Sequence, residues 1–340
     1  MPEAPQRSLV VGDGGWGTAI ALSLHRAGRP VTVWSHDPDY AAEVARSRRN
    51  PKFLPGVEIP GEIRWTADLE EAVAGADIYY SVVPTQFLRA TLRRFAGALA
   101  NLPAVSASKG LELGTLKRPS EILVEAAGAR AGVAVLSGPS HAEETARGLA
   151  TSVVVASREP GLAERVQAEL GSASLRLYTG QDLVGVELGG ALKNVIAVAA
   201  GVADGLGLGD NAKAALVARG LVEMARFGVL HGARRETFFG LSGAGDLMAT
   251  CYSRHSRNRA LGERIGRGET LAEIQASTEK VAEGVWTTEA LHAAARSEEL
   301  ELPITEQLHA ILFEGRDCAD AVRELMLRPS RPEQDSAPPA

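Results

Sequence analysis

Lysine is scarce in this chain of 340 residues: it stands only at positions 52, 109, 117, 193, 213 and 280, and arginine supplies the rest of the 36 basic residues. A biased base composition accounts for such a skew, so placement carries the argument. A lysine amine can release its proton when burial and neighbours lower its pKa, whereas arginine cannot. Two lysines sit in glycine-bearing segments, Ser108-Lys109-Gly110 and Gly189-Gly190-Ala191-Leu192-Lys193-Asn194. An amine so tuned is a general acid or base. Lys109 follows a strand-like run, which sets it apart from an ordinary solvated loop lysine. Further on, Asp246 closes the glycine-rich string Gly243-Ala244-Gly245-Asp246, and Gly138-Pro139-Ser140-His141-Ala142-Glu143 follows another strand-like run.

Ser256-Arg257-Asn258 has a different chemistry. Ser256 is a good helix cap, which puts Arg257 and Asn258 in the first turn. Free backbone N–H groups, a dipole end and a forked guanidinium together suit a phosphate dianion. The same spacing describes a capped surface helix with solvated arginines equally well.

Gly12-Asp13-Gly14-Gly15-Trp16-Gly17 fits GxGxxG. The string alone is weak, but here it follows the strand Ser8–Val11 and opens a helix from Trp16, the context of a dinucleotide fingerprint. Gly12 permits the turn, Gly14 the approach of a pyrophosphate and Gly17 close packing of helix on strand. The second strand, Val31–Trp34, ends in Ser35-His36-Asp37 rather than in an acid. Ser35 and His36 suit a 2′-phosphate, with Arg48 and Arg49 downstream, so the reading favours NADP(H); Asp37 leaves NAD(H) open. His36 is equally an ordinary exposed histidine.

The elements that must position these groups alternate in the first half. Strands are expected at Ser8–Val11, Val31–Trp34, Ile78–Val83, Ala104–Ser108, Val133–Ser137 and Ser152–Ala156. Helices are expected at Trp16–Ala27, Pro38–Arg48, Asp68–Ala74 and Thr85–Leu99, with Asn50–Pro60 a loop. That alternation predicts an α/β Rossmann domain: a doubly wound, mostly parallel sheet covered on both faces. From Asp182 onward helical spacing dominates, at 182–203, 210–231, 256–267, 286–297 and 303–313. The expected division is 1–180 dinucleotide-binding, 181–328 α-helical substrate-binding and catalytic, and 329–340 a disordered proline-rich tail.

Bulk properties exclude several classes. A net charge of -6 argues against nucleic acid as the partner. Apolar runs such as Val195–Ala203 fall short of the roughly 20 residues of a membrane span. The amino terminus does not read as a signal peptide. Only Cys251 and Cys318 are thiols, which suggests a reducing compartment, the cytoplasm. No cysteine or histidine spacing suggests a metal. His141 beside Ser140 and Glu143 is not a hydrolase triad, because no GxSxG elbow exists.

In their order and spacing, GDGGWGTA, SKG, GPSHAEE, GGALKNVIAVAAG, GLSGAGDLMATC, SRHSRNRALG and VAEGVWT resemble the bacterial NAD(P)-dependent sn-glycerol-3-phosphate dehydrogenase family, from about Ser8 to about Arg328. The resemblance implies hydride transfer between dihydroxyacetone phosphate and sn-glycerol 3-phosphate, supplying glycerophospholipid synthesis. It implies Lys193 as proton acceptor and donor, with burial and the cations Lys109 and Arg257 lowering its pKa. It makes Lys109 the second active-site lysine, touching cofactor and substrate. Asp246 would hold substrate hydroxyls or orient Lys193. Gly138, Ser140, Ser256, Arg257 and Asn258 would contact substrate. Gly15, Trp16, His36, Ala142, Arg257, Val281 and Glu283 would join Gly12, Gly14 and Gly17 around the cofactor. The family usually carries serine where this chain has Gly15. A homodimer through the helical domain fits related dehydrogenases. Two rivals differ in their needs: a β-hydroxy-acid dehydrogenase of the same architecture requires a carboxylate site, and a non-catalytic NAD(P) sensor requires neither lysine.

Overall fold

The short β-branched runs of the first half can satisfy their backbone groups only side by side. In the computed structural model, which describes residues 7–278, 282–330 and 332–333, they form one eight-stranded sheet. The chain runs β1 (Arg7–Val11), α1 (Gly15–Arg26), β2 (Val31–Trp34), α2 (Pro38–Ser47), β3 (Arg49–Asn50), β4 (Leu54–Glu58), β5 (Arg64–Thr66) and α3 (Leu69–Val73). It continues through β6 (Ala76–Ser81), α4 (Thr85–Arg93), β7 (Ala104–Ser106), α5 (Pro119–Ile122), β8 (Val133–Ser137), α6 (Ala142–Ala146), β9 (Thr151–Ser157), α7 (Leu162–Leu170) and β10 (Leu175–Gly180). The sheet order is β10-β9-β8-β7-β6-β1-β2-β5. All neighbours are parallel except β8 and β9, whose register pairs Val135 with Ala156 antiparallel. The chain leaves β1 in one direction along the sheet and returns to its other side at β6. That reversal opens a crevice beyond the carboxyl ends of β1 and β6, where ligands of such sheets bind.

Two strands and a hairpin were not expected. The segment read as the loop Asn50–Pro60 holds β3 and β4, paired antiparallel with a register shift. β5 is a three-residue edge strand, too short to show periodicity. β10 does alternate, with Leu175 and Leu177 inward and Arg176 and Tyr178 outward, a period-2 signal of a half-buried strand. The helix expected over Thr85–Leu99 stops at Arg93. Asp68 caps α3 as expected, accepting from the Glu71 N–H at 2.8 Å.

After Gly180 every regular element among the described residues is helical: α8 (Leu183–Gly205), α9 (Gly209–Leu230), α10 (Asp246–Tyr252), α11 (Arg257–Gly266), α12 (Leu271–Ala276), α13 (Glu283–Ser297), α14 (Pro303–Phe313) and α15 (Cys318–Met326). α8 is the axis of this half. The run Val195–Ala203 belongs to it, and by length and composition the 23-residue helix could cross a membrane, but 94% of its most apolar window is buried in the protein. Neighbours approach its backbone where it carries glycine. A Cβ on Gly201 would lie 2.1 Å from the Arg259 carbonyl oxygen, so α11 packs backbone against backbone there. Glu187, fully buried on α8, accepts from the Ser120 N–H (2.8 Å), the Ser120 hydroxyl (2.6 Å) and Arg118 (3.0 Å). This ties α8 to the segment that follows Lys109. Most of the proline-rich tail lies outside the described residues.

Candidate active site

The site is assembled where α8 crosses the carboxyl edge of the sheet. Lys109 follows β7, and the loop before it is anchored by the Ser108 hydroxyl donating to the Val83 carbonyl at 2.6 Å. Its amine donates to Asp246 Oδ2 (2.7 Å), the Gly138 carbonyl (3.2 Å) and Ser140 Oγ (3.4 Å). Gly138 follows β8 with φ +137, and a Cβ there would press on Val153 Cα at 3.0 Å. Gly190 lets α8 lie close on the end of β8 beside Lys109: a Cβ there would sit 2.5 Å from Ser137 Oγ, and Lys109 Cγ would be in ordinary contact at 3.5 Å.

Lys193 lies one turn further along α8, only 6% exposed. Its amine donates to Asp246 Oδ1 and, at 2.7 Å, to Thr250 Oγ1. The Thr250 hydroxyl proton points elsewhere, to the Asp246 carbonyl oxygen at 2.6 Å, so its lone pair faces Lys193. An ammonium has three donors, and these contacts use two. Burial pushes the Lys193 pKa down to about 8, Lys109 pushes the same way and Asp246 opposes both. The second cation acting on it is thus Lys109, and not the expected pair of Lys109 and Arg257. Burial alone would raise the Asp246 pKa, but Lys109 and Lys193 outweigh it and hold the carboxyl below its ordinary value. Two ammonium groups around one carboxylate leave the cluster with one net positive charge. That is a preorganised partner for an oxygen that becomes negative.

Sequence reading missed Thr250. Its signal was present: it lies four residues after Asp246, one helical turn on the same face. Asn194, whose role was left open, accepts from the Asn258 amide at 2.9 Å. Asn258 also accepts from the Gly284 N–H at 2.9 Å. The amino ends of α11 and α13 are therefore pinned beside Lys193. Ser256 caps α11, accepting from the Arg259 N–H at 3.2 Å. Arg257 is exposed, and its side chain makes no hydrogen bond or ion pair with any described residue. The His141 ring shares a 3.2 Å hydrogen bond with the Ala249 carbonyl. The acceptor is a carbonyl, so the ring nitrogen is the donor, and α6 is drawn against α10.

The glycine loop fits a dinucleotide. Gly12 has φ +117, reserved for glycine. A Cβ on Gly17 would lie 2.0 Å from the Gly12 carbonyl, so only glycine brings α1 this close to β1. At Gly14 a Cβ meets nothing within 4 Å, which leaves the space a pyrophosphate requires. α1 opens with no side-chain cap, so its first N–H groups remain for an anion. The Trp16 indole N–H is buried without a protein partner. Gly15 is accounted for by its neighbour: a Cβ there would sit 2.8 Å from the Phe53 carbonyl, and Ala142 Cβ is 3.5 Å away. A serine in that place would have to displace the β3–β4 turn.

His36 is exposed past the end of β2. Glu283 reaches from the start of α13 to the start of α4, where it accepts from the Thr85 N–H at 3.0 Å. Its second oxygen is buried without a partner, and burial pushes its pKa up to about 7, against the Thr85 N–H and Arg257. Val281 lies outside the described residues. Cys251 and Cys318 are free thiols.

Two family models match this chain, the N-terminus of NAD-dependent glycerol-3-phosphate dehydrogenase over residues 9–163 and its C-terminus over residues 182–323. The chain belongs to the NAD-dependent glycerol-3-phosphate dehydrogenase family. It is 45% identical over 331 residues to the glycerol-3-phosphate dehydrogenase [NAD(P)+] of Chlorobium limicola, covering 95% of this chain and 98% of that one. The Moorella thermoacetica enzyme of the same name is 47% identical over 328 residues, with 96% and 97% covered. The crystal structure of glycerol-3-phosphate dehydrogenase from Coxiella burnetii superposes with a TM-score of 0.91 at 36% identity, covering 95% of this chain and 99% of that one. The expected Rossmann-plus-helical architecture and the oxidoreductase reading therefore stand. The hydroxy-acid and sensor alternatives gain no support.

Proposed function

We propose that the chain interconverts dihydroxyacetone phosphate and sn-glycerol 3-phosphate, with Lys193 trading the proton at C2. Gly12, Gly14, Gly17 and the uncapped start of α1 would hold a nicotinamide dinucleotide, which would supply or accept the hydride at that carbon. In reduction, the Lys193 ammonium gives the proton of its uncommitted N–H to the carbonyl oxygen as hydride reaches C2, and the oxygen becomes the hydroxyl. In oxidation, the neutral amine takes that proton back. Lys109 steadies the negative charge that gathers on the oxygen in between. Asp246 and Thr250 aim the Lys193 amine, and Asp246 balances the two cations. Gly138 and Ser140 contact the triose, while Ser256, Arg257 and Asn258 receive its phosphate. Ala142, Glu283, His36 and Val281 belong to the cofactor side, as does Arg257.

The observation that carries this reading is the Lys193 amine, buried between Asp246 and Thr250 with its pKa pushed down to about 8, where it can both give and take a proton. Spectrophotometric turnover of dihydroxyacetone phosphate, against a panel of keto acids, with NADH and NADPH in parallel, tests it. Oxidation of either dinucleotide with the triose phosphate alone is the expected result; turnover only with keto acids would overturn the substrate. A role in glycerophospholipid synthesis, a cytoplasmic location, pairing as a homodimer through the helical domain and the division at residues 180 and 181 belong to the same proposal. Light scattering of the purified protein tests the dimer.

A further inference from the structure

The end of β2 offered no acid, yet an acid is there, supplied by the glycine loop itself. Asp13 stands between Gly12 and Gly14 and is only 6% exposed. The fully buried Ser35 hydroxyl donates to its Oδ2 at 2.5 Å. The loop is stitched to β2 by the Gly12 N–H, which donates to the Trp34 carbonyl at 3.1 Å. The Asp13 backbone is fixed as well, its carbonyl accepting from the Asn50 amide at 2.7 Å, an amide that also donates to Thr18 Oγ1 at 2.8 Å. Asp13 therefore cannot swing away without breaking the loop. This corner, past the second strand, is where a Rossmann site meets the adenosine ribose, with an acid for a 2′-hydroxyl or an arginine for a 2′-phosphate.

The cations that suggested a 2′-phosphate are placed less well. Arg48 donates to the Ile63 carbonyl at 3.0 Å. His36 and Arg49 are exposed, where water and salt screen them. Asp37 spends one carboxylate oxygen on the cap of α2, accepting from the Asp39 and Tyr40 N–H groups at 3.0 and 3.1 Å. A buried carboxylate is screened far less than an exposed cation, and it repels a phosphate while accepting from a hydroxyl.

We infer that Asp13, held by Ser35, is a specificity-determining residue that makes this enzyme prefer NAD(H) to NADP(H), reversing the preference suggested by the strand end alone. The inference rests on the cofactor role given above to the glycine loop. Calorimetric titration of the intact protein with NADH, NADPH, 5′-AMP and 2′,5′-ADP tests it without relying on turnover. NADH is expected to bind at least about 10-fold tighter than NADPH, equal to about 1.4 kcal/mol, and 5′-AMP tighter than 2′,5′-ADP. Asp13→Asn keeps a partner for Ser35 and removes the charge. It is expected to tighten NADPH by about 10-fold while NADH moves less than about 3-fold. Equal or tighter binding of NADPH by the unaltered protein would overturn the inference. So would a ratio that Asp13→Asn leaves unchanged. Binding of neither dinucleotide would overturn the dehydrogenase reading itself and this inference with it. The fragment comparison needs no variant, so a poorly folded Asp13→Asn would not shelter the claim.

Discussion

The glycine loop and the lysine cluster are built in opposite ways. The loop spans Gly12 to Gly17 and works through backbone: positive φ, missing Cβ atoms and free N–H groups. The cluster works through side chains from four separate segments, with Lys109, Ser140 and Lys193 joined by Asp246 and Thr250 of α10 and brought together by tertiary packing. A backbone site is specified locally and tolerates little change of shape. A side-chain site tolerates shape better and loses its chemistry when one charge is removed.

That contrast can be broken by substitution. The largest effect is expected from Asp246→Asn. It leaves the buried Lys193 ammonium and the partly buried Lys109 ammonium without their counter-charge, a change that costs about 3–5 kcal/mol and lowers the Lys193 pKa further. Chemical denaturation should show the loss, and turnover should drop by about 10²-fold or more while the dinucleotide Kd of the folded fraction stays put. A Kd that follows the loss of turnover would mean the two sites are not separable. Gly17→Ala should behave in the reverse sense. Its Cβ must displace the Gly12 backbone, at about 1–3 kcal/mol, so dinucleotide affinity should weaken and the pH dependence of the remaining turnover should not move. Arg257→Ala tests the phosphate arm. Losing a charge-assisted hydrogen bond of about 1.5–3 kcal/mol should raise KM for dihydroxyacetone phosphate by about 10–100-fold with kcat little changed; an unaltered KM would return Arg257 to the surface. The smallest effect belongs to Thr250→Val, which keeps shape but removes one acceptor from Lys193. A net loss near 1 kcal/mol should lower kcat by about 5-fold, and no change would deny Thr250 its aiming role.

The same contrast governs how much could be read in advance. GxGxxG is contiguous, so Gly12, Gly14 and Gly17 announced their work, and strand β2 and helix α14 were placed to the residue. Lys193 and Lys109 were conspicuous in a lysine-poor chain, but nothing local showed that one carboxylate would join them; Asp246 lies 53 residues from Lys193 and 137 from Lys109. Gly190 gave no local hint of its purpose, which is visible only in the fold, where Ser137 leaves no room for a Cβ. Thr250 was hidden because a single hydroxyl one turn after Asp246 is not by itself a chemical motif, and Asp13 because its position in the motif is formally unspecified. β5 and β3 were too short to carry a period, whereas β10 did carry one. The Arg257 contribution to Lys193 was expected from the shared active site that the family resemblance implies, and the fold instead leaves that residue exposed, acting on Glu283.

The central claim is that the buried amine at 193 trades the proton, and the pH dependence of kcat/KM for dihydroxyacetone phosphate reduction tests it most directly. Reduction needs the protonated amine, whose pKa lies at about 8. The rate should therefore be level below that pH and fall tenfold per unit above it, while glycerol 3-phosphate oxidation rises over the same interval. Lys193→Arg keeps the charge but cannot cycle the proton. It should lose about 10²–10⁴-fold in turnover and the titration near pH 8, with dinucleotide affinity unchanged. A Lys193→Arg enzyme with near-normal turnover and the same pH limb would contradict the account.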